Sequence, residues 1–223
     1  KPVNNGILGT WNTAPLTDGE YILRLTVSDK AGNILTNSVI VNSDNNNWKL
    51  TISRLTQVTA NAGWNTEPAW SPDNTKLAFS SNCSGNYDIW TMNADGSNLL
   101  NITNSAAYDS KPGWSPDGSK LAFVSDRSGN KDIWITNADG SGTPLQLTNL
   151  TVTDTDPTWS PDGTKIAFAS DRSGNFDIWL ANADGLGTPV KLTTSEAYDK
   201  EPSWSQFGIA YTSEYSGNRE IWL

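Results

Sequence analysis

The sequence contains no histidine and only one cysteine, Cys83. Without histidine, the chain has no means of Ser-His-Asp or Cys-His catalysis, histidine-bearing zinc sites or ordinary histidine pH switching. A single cysteine forms no intrachain disulfide, and Cys83 lacks the partners that metal binding or catalysis would need. Apolar runs are short, and none approaches the roughly 20 residues of a transmembrane helix. These absences argue against several enzyme classes and against membrane insertion.

Positive charge is also scarce. The chain has 15 lysines and arginines against 24 aspartates and glutamates, a net charge of −9 and a pI near 4.4. This balance argues against nucleic acid or an anionic membrane surface as the partner. It suits a cation or a basic partner, and the plainer alternative is a soluble surface that resists aggregation. The chain begins at Lys1 without a visible signal peptide, so we expect a processed or cropped piece of a longer protein.

One motif recurs four times along most of the chain. The clearest copy, PTWSPDGTKIAFASDRSGNFDIWLANADG, begins at Pro157, and the others begin at Pro68, Pro112 and Pro202. The last copy, PSWSQFGIAYTSEYSGNREIWL, is shorter. Every copy contains two tryptophans, and each of the two recurs from copy to copy at intervals of 43–45 residues. A fixed period in this range is typical of a propeller or a solenoid.

Each copy reads as strands separated by turns. Ser-Pro-Asp-Gly is a turn in which proline presets φ and glycine accepts a positive φ. The apolar run that follows, such as 165–170, is short enough for a strand buried on both faces. Ser-Gly-Asn and Asn-Ala-Asp-Gly supply two more turns around a strand that opens with Asp-Ile-Trp. Four strands in about 45 residues, without a helical period, indicate one propeller blade.

The string WSPDG-x-K-I/L-A-F-x-S-D-R-S-G-N-x-D-I-W resembles the TolB-type (WD-like) β-propeller repeat over about residues 68–223. The resemblance implies a ring of six to eight blades in most relatives, usually outside the cytoplasm, that acts mainly as a binding platform. The family's namesake carries an α/β domain before its propeller, and nothing in this sequence matches that domain. The chain is therefore similar to the TolB propeller alone.

We predict an all-β fold, a β-propeller of four-stranded antiparallel blades whose last copy lacks its outer strand. The propeller domain is expected at 48–223, with blades at about 67–104, 111–149, 156–194 and 201–223. Residues 48–57 resemble an outer strand, so they are a candidate to close the ring by completing the fourth blade. A cropped six- or eight-bladed ring is the alternative.

The first residues follow another pattern. Residues 1–43 predict three strands, near 7–12, 20–28 and 35–42, and DGEYILRLTVSDKAGN resembles the last hairpin of bacterial immunoglobulin-like domains. Such a domain needs about seven strands, so we predict a partial immunoglobulin-like β segment. Residues 44–47 read as a polar linker to the propeller.

Comparison among the four copies separates architecture from candidate function. Features that recur in every copy are most simply explained by the construction of a blade. On this basis the eight repeat tryptophans are predicted to be core, the Asp-Arg of SDRSGN to make local or inter-blade hydrogen bonds, and Asn-Ala-Asp-Gly to be turn chemistry. A unique site is expected where the copies differ.

The copies differ most in the loops that join one blade to the next, at 59–67, 104–111, 149–156 and 194–201. In a propeller such loops converge on one mouth of the central channel. The candidate binding residues in or beside them are Trp64, Glu67, Tyr108, Asp109, Lys111, Asp154, Asp156, Tyr198, Asp199 and Glu201.

Two kinds of ligand fit these residues. Clustered carboxylates suit Ca²⁺, which takes six to eight oxygen ligands, and the candidate ligands are Asp109, Asp154 and Asp199; the alternative is carboxylates solvated at a rim. Aromatic side chains beside carboxylates suit a sugar or a peptide. Tyr108 and Tyr198 recur in two copies and have packing under their loops as an alternative role. Trp64 has no counterpart in another blade and is the better candidate.

Three functions agree with these features. The first, which we favour, is a non-catalytic binding propeller outside the cytoplasm, whether periplasmic, secreted or on the cell surface, that recognises a protein, peptide or glycan at its channel mouth. The second is an assembly or scaffold subunit of a larger surface structure, completed by strand sharing or self-assembly. The third is a carboxylate-based enzyme on polysaccharides, because glycoside chemistry needs two carboxylates at a set spacing.

Overall fold

The computed structural model describes residues 19–28, 34–44, 47–51, 57–60 and 63–223. The chain divides into two compact units, Lys1–Gln57 and Val58–Leu223. The first unit contains one antiparallel sheet, whose strands lie in the order β1 (Gly19–Ser28), β2 (Ile34–Asp44), β3 (Asn47–Thr51). Two of the three strands predicted there are confirmed. The strand expected near residues 7–12 lies outside the described residues, and the likeness to an immunoglobulin-like domain stays a prediction.

The third strand of this sheet differs from the sequence prediction. Asn47 pairs with Asp44 and Thr51 with Ile40, so 47–51 continue the N-terminal sheet. The interpretations of 44–47 as a linker and of 48–57 as a closing strand therefore fail over the residues described. The physical reason is loop closure, because pairing with the preceding strand closes a far shorter loop than pairing with a strand near residue 222.

The second unit consists of four antiparallel sheets arranged as propeller blades. The strands of the first two blades are β4 (Asn65–Trp70), β5 (Lys76–Ser81), β6 (Asp88–Asn93), β7 (Leu100–Asn101), β8 (Asp109–Trp114), β9 (Lys120–Ser125), β10 (Asp132–Asn137) and β11 (Leu145–Gln146). Those of the last two are β12 (Asp154–Trp159), β13 (Lys165–Ser170), β14 (Asp177–Asn182), β15 (Val190–Lys191), β16 (Asp199–Ser205), β17 (Gly208–Ser213) and β18 (Glu220–Trp222). The all-β propeller is confirmed, including a last blade of three strands. Each innermost strand begins two residues earlier than the blade limits predicted from sequence.

The hydrophobic core lies between neighbouring blades. The second strand of a blade is buried on both faces, as in β9, where every residue after Lys120 is buried. Phe123 and Leu121 of that strand pack against Ala78 and Ile89 of the first blade. Because apolar side chains point to both faces, these strands read as continuous apolar runs rather than alternating ones.

The first tryptophan of the second blade and that of the third blade connect each of these blades to the one before it. Trp114 Nε1 donates to the carbonyl oxygen of Ala69 at 3.1 Å, and Trp159 Nε1 donates to that of Gly113 at 3.0 Å. Trp159 is accordingly only 7% exposed, whereas Trp70 is 55% exposed. The prediction that all eight tryptophans are core is therefore wrong for Trp70. Within the described residues, no other blade covers the face of the first blade on which Trp70 lies.

The Ser-Pro-Asp-Gly turn has the predicted chemistry. In the third blade, Asp162 Oδ1 accepts hydrogen bonds from Ser160 Oγ at 2.6 Å and from the Thr164 N–H at 3.0 Å. These hydrogen bonds, the one from Ser160 first, lower the pKa of Asp162 to about 2. Gly163 completes the turn with a φ of 72°, in the left-handed region that glycine accepts without strain.

Candidate functional site

The four innermost strands share an irregularity that shapes the centre of the propeller. Each has a register shift next to its proline. A bulge of this kind bends a strand and re-aims a side chain. The residue just before the proline has a positive φ of 53–57° in all four blades, at Glu67, Lys111, Asp156 and Glu201.

These four residues and the prolines that follow them line one cavity of about 400 Å³. Lys111 Nζ forms an ion pair with Asp156 and also donates to Thr155 Oγ1 at 3.2 Å. Glu67 Oε2 accepts from the Lys111 N–H at 2.8 Å, and Glu201 Oε2 accepts from Thr212 Oγ1 at 3.3 Å. With three carboxylates against one ammonium group, the channel wall is acidic. We call these four residues the channel ring.

A second set of predicted residues surrounds the entrance. Trp64, Tyr108 and Tyr198 each directly precede an innermost strand, and all three side chains are exposed. The Trp64 N–H donates to Asn82 Oδ1 at 2.7 Å, and the Tyr108 N–H donates to Asp126 Oδ1 at 2.8 Å. These equivalent contacts show that Trp64 has structural counterparts, which corrects the sequence interpretation. The three aromatic residues form what we call the rim.

The two tyrosines of the rim pack on aromatic neighbours as well as facing solvent. The Tyr108 ring lies 5.0 Å from the Tyr87 ring, and the Tyr198 ring lies 6.5 Å from the Phe176 ring, measured between centroids. Burial raises the pKa of Tyr108, and the Glu67 carboxylate raises it further. The influence of Glu67 on this phenol agrees with a rim that lies close to the channel ring.

Asparagine side chains hold three of the loops that lead into the innermost strands, including those of Tyr108 and Tyr198, a role that sequence analysis missed. Asn86 Nδ2 donates to the carbonyl oxygens of Ser105 and Ala107 at 3.0 and 2.5 Å. Asn130 and Asn175 make equivalent pairs of contacts with the loops that follow their own blades. The available signal was the invariant asparagine of Ser-Gly-Asn, which a simple turn does not require. We call these three side chains the loop clamps.

The three aspartates proposed as calcium ligands lie elsewhere. Asp109, Asp154 and Asp199 open their strands and are buried inside three separate blades. Arg127 Nη2 contacts Asp109 Oδ2 at 2.8 Å, and Arg172 Nη2 contacts both carboxylate oxygens of Asp154 at 3.0 Å. The predicted role of the SDRSGN turn in local hydrogen bonds is thereby confirmed for its arginines, and its aspartates accept hydrogen bonds from the backbone N–H groups of Tyr108 and Thr153.

Calcium binding by these aspartates stays a prediction. Across the described part of the chain, no group of three or more acidic, cysteine or histidine side chains is placed to hold a metal ion. Two of the three carboxylates already face a guanidinium group, which would have to move before a cation could bind there. The channel ring and the rim are therefore the better candidate site.

A comparison with known proteins places this geometry in a class. The model of the TolB beta propeller domain matches residues 47–145 and 112–223, which is most of the chain. The protein is thus a β-propeller of WD-like blades. It belongs to the TolB β-propeller domain family. No curated protein matches the sequence significantly, and within the described residues no helix is long and apolar enough to cross a membrane.

Solved structures agree with this assignment. TolB from Acinetobacter baumannii is 25% identical with a TM-score of 0.63, and the match covers 91% of this chain and 49% of that one. A protein assigned as TolB from Agrobacterium tumefaciens is 25% identical with a TM-score of 0.60, covering 87% and 70%. A puromycin-hydrolyzing peptidase from Mycobacterium tuberculosis shares the fold at 16% identity and a TM-score of 0.60, covering 90% and 36%. The chain thus spans about half the length of the Acinetobacter protein.

Proposed function

We propose that this propeller is a non-catalytic, extracytoplasmic binding module that holds a basic segment of a partner protein at its channel mouth. The observation that carries the proposal is the channel ring, in which all four blades use the same bulge to aim a charged side chain at one cavity. The bulge recurs in every blade and is part of the blade architecture, but the charged side chain that it aims differs between blades: a lysine in one and a carboxylate in the other three. Bulges are over-represented next to active sites, where they re-aim a side chain.

The charge of the ring selects the partner. Lys111 is engaged by Asp156, so Glu67 and Glu201 are the carboxylates left to meet an incoming cation. The net charge of −9 extends the same potential over the molecule and would steer a basic partner towards it. The exposed rim adds apolar contact area around the charges, as at interfaces where tyrosine and tryptophan anchor a bound segment.

The test is binding of a fluorescein-labelled peptide of alternating lysine and glycine, measured by fluorescence anisotropy. The double variant Glu67→Gln/Glu201→Gln should weaken binding roughly tenfold, about 1.4 kcal/mol, because each exposed charge contributes up to about 1 kcal/mol. The matched control, Asp95→Asn/Glu220→Gln, removes two exposed charges away from the channel and should leave affinity nearly unchanged. Equal affinity of the double variant, or equal binding of a glutamate-glycine peptide, would contradict the proposal.

One observation favours a second function, the assembly subunit. In the fourth blade β18 pairs with β17 and leaves its other edge open among the described residues, and Ile221 on it is exposed. Open edges recruit strands from other chains. Light scattering on the folded chain distinguishes the two functions, because assembly by strand sharing predicts a discrete multimer and a binding module predicts a monomer of 24.2 kDa.

A further inference from the structure

A buried aspartate opens the innermost strand in three of the four blades, and its partner is not the same in all three. In the second and third blades it faces Arg127 and Arg172. In the first blade both partners are replaced together, by Asn65 and Cys83, so no charge is buried. In the fourth blade only the arginine is replaced. Asp199 keeps its carboxylate, and Tyr215 occupies the arginine position.

The backbone around the arginine position is the same in every blade. The Arg127 N–H donates to Ser125 Oγ at 3.3 Å, and the Tyr215 N–H donates to Ser213 Oγ at the same distance. Ser195 Oγ contacts Asp199 Oδ2 at 3.2 Å, as Ser105 Oγ contacts Asp109 Oδ2. The fourth blade has therefore kept the frame of this site and has lost only the guanidinium group.

The loss leaves a buried carboxylate facing a cavity. Asp199 is only 1% exposed, and its Oδ1 atom is buried without a hydrogen-bond partner among the described residues. Asp109 Oδ1 also lacks such a partner, but the other oxygen of Asp109 is paired with Arg127. Asp199 lines a cavity of about 310 Å³, together with Leu192, Tyr211, Tyr215 and Trp222 among others. We call this cavity the fourth-blade socket.

The walls of the socket are those that receive a guanidinium group in the neighbouring blades. The Arg127 guanidinium lies 5.2 Å from the Phe123 ring centroid and 4.9 Å from that of Trp134, and Arg172 repeats this arrangement. Tyr211 and Trp222 stand at the equivalent positions of the fourth blade. Tyr215 packs edge-on against Trp222, with 5.5 Å between ring centroids. Three aromatic rings beside one carboxylate make a cage for an organic cation.

Nearby cations of the chain are engaged elsewhere. Lys200, which follows Asp199, places its Nζ 3.7 Å from the Phe176 ring centroid. Arg219 contacts Glu214 at 3.2 Å. Burial raises the pKa of Tyr211, and the Asp199 carboxylate adds to the effect, which agrees with a desolvated socket beside a carboxylate.

We propose that the fourth-blade socket binds the guanidinium group of an arginine side chain supplied by a partner protein. A planar guanidinium group can contact both oxygens of a carboxylate while its faces stack on aromatic rings, as Arg172 does with Asp154, whereas an ammonium group cannot do both. Leu192 and Tyr215 are exposed at the cavity and offer apolar surface to the methylene stem of the side chain. This site is separate from the channel ring and does not depend on the proposed function of that ring.

The test uses the intact chain, and the probe is the peptide acetyl-Gly-Arg-Gly-amide, titrated while the Trp222 indole N–H resonance is followed by NMR. The arginine peptide should bind roughly tenfold more tightly than its lysine counterpart, and the neutral citrulline counterpart should show no saturable shift. Equal binding of the citrulline or lysine peptide would overturn the proposal. Free arginine is the third arm, and if it binds more tightly than the peptide, a small molecule is the ligand and the assignment to a partner protein is wrong.

Two variants test the same site, so the test still works if one of them folds poorly. Tyr215→Arg restores the arginine of the neighbouring blades, so it should abolish peptide binding and raise the melting temperature by about 2–4 °C. Asp199→Asn, which copies Asn65 of the first blade, should also abolish binding. Asp95→Asn removes an exposed carboxylate on a turn of the first blade; it is the control and should bind like the parent. Retention of binding by Tyr215→Arg or by Asp199→Asn would overturn the proposal.

Discussion

At the residue scale, the blades differ in the charges at one pair of positions: an ion pair, two neutral residues, or an aspartate that meets no cation within the described residues. Two blades bury an Asp-Arg pair, the first blade has the neutral, partly buried residues Asn65 and Cys83 at these positions, and the fourth blade buries Asp199 beside Tyr215. An Asp-Arg pair in a protein interior contributes little net stability, but removal of one partner leaves an uncompensated charge. The neutral pair of the first blade shows how the frame accommodates loss of both charges.

The first prediction concerns this pair in the third blade. Arg172→Met keeps most of the side-chain volume but leaves Asp154 buried without its cation, so it should lower the free energy of unfolding by about 3–5 kcal/mol. The measurement is urea unfolding followed by circular dichroism. The double variant Asp154→Asn/Arg172→Cys copies the first blade and should recover most of the loss.

The matched control is an exposed ion pair of the same type. Arg219 and Glu214 are 3.2 Å apart on an exposed turn, so Arg219→Met should cost less than about 1 kcal/mol. A loss of equal size for Arg219→Met and Arg172→Met would show that burial of the Asp154 carboxylate is not what makes the inner pair sensitive.

At the scale of elements, the loop clamps explain how irregular loops hold a regular position. Asn175 Nδ2 contacts the carbonyl oxygens of Ser195 and Ala197 at 3.3 and 2.5 Å, immediately before the rim residue Tyr198. These two carbonyl groups lie in a loop rather than in a strand, so the Asn175 side chain supplies the hydrogen bonds that a neighbouring strand would supply in a sheet.

The second prediction follows from this contact. Asn175→Ala removes both hydrogen bonds, so backbone amides of residues 195–198 should exchange with deuterium faster, with a loss of about 1–3 kcal/mol in unfolding free energy. Residues 105–108 form an internal control, because Asn86 still holds them in the same molecule. Unchanged exchange at 195–198 would mean that other contacts fix this loop.

The sequence predicted the elements of a blade better than their exact limits. Turns were predictable because Ser-Pro-Asp-Gly has few alternatives, and the second strand was predictable because it is apolar on both faces. The bulge was not, because Glu67, Lys111, Asp156 and Glu201 carry no feature that signals a positive φ in a non-glycine residue. Asp109 and Asp154 were predicted as candidate calcium ligands in loops, because nothing in the sequence pairs them with arginines 18 residues further along the chain.

At the scale of the whole molecule, burial is uneven from one end of the propeller to the other. In β5, β9 and β13 every residue after the first lysine is buried, whereas β17 of the fourth blade is partly exposed along most of its length. In a repeat architecture each unit is stabilised by its neighbours, so a terminal unit has fewer stabilising contacts. Trp70 at one end and Ile221 at the other, both exposed, mark the same difference.

The third prediction compares three equivalent amides. Phe123, Phe168 and Tyr211 each lie opposite the second tryptophan of their blade. Hydrogen exchange should be slowest at Phe123 and Phe168 and clearly faster at Tyr211, because the fourth blade opens before the inner blades do. Equal protection at the three amides would instead indicate a single cooperative unit.

The overall architecture was predictable because the period and the turns repeat four times. Pairing between distant segments was not, as the expected closing strand shows. Residues 48–57 resemble an outer strand of a blade, yet 47–51 pair with β2 in the N-terminal sheet. The alternation of apolar and polar residues in a strand indicates which face is buried. It does not indicate which of several compatible strands will pair with it, a choice that also depends on the length of the loop that pairing closes.

The contacts between the first residues of a blade and its second turn also define where the propeller can be cut and joined. Residues 108–152 contain both ends of the Tyr108–Asp126 contact, of the Asp109–Arg127 ion pair and of the Asn130 clamp. A segment with these limits keeps its polar contacts when it is inserted elsewhere in a propeller. A segment cut at the sequence repeat, from Pro112 to Pro157, would instead separate Tyr108 from Asp126 and Asp109 from Arg127. The segment that contains both partners of each contact therefore begins and ends earlier than the sequence repeat. In propellers that were lengthened by duplication of a blade, we expect the junctions directly before the residue equivalent to Tyr108.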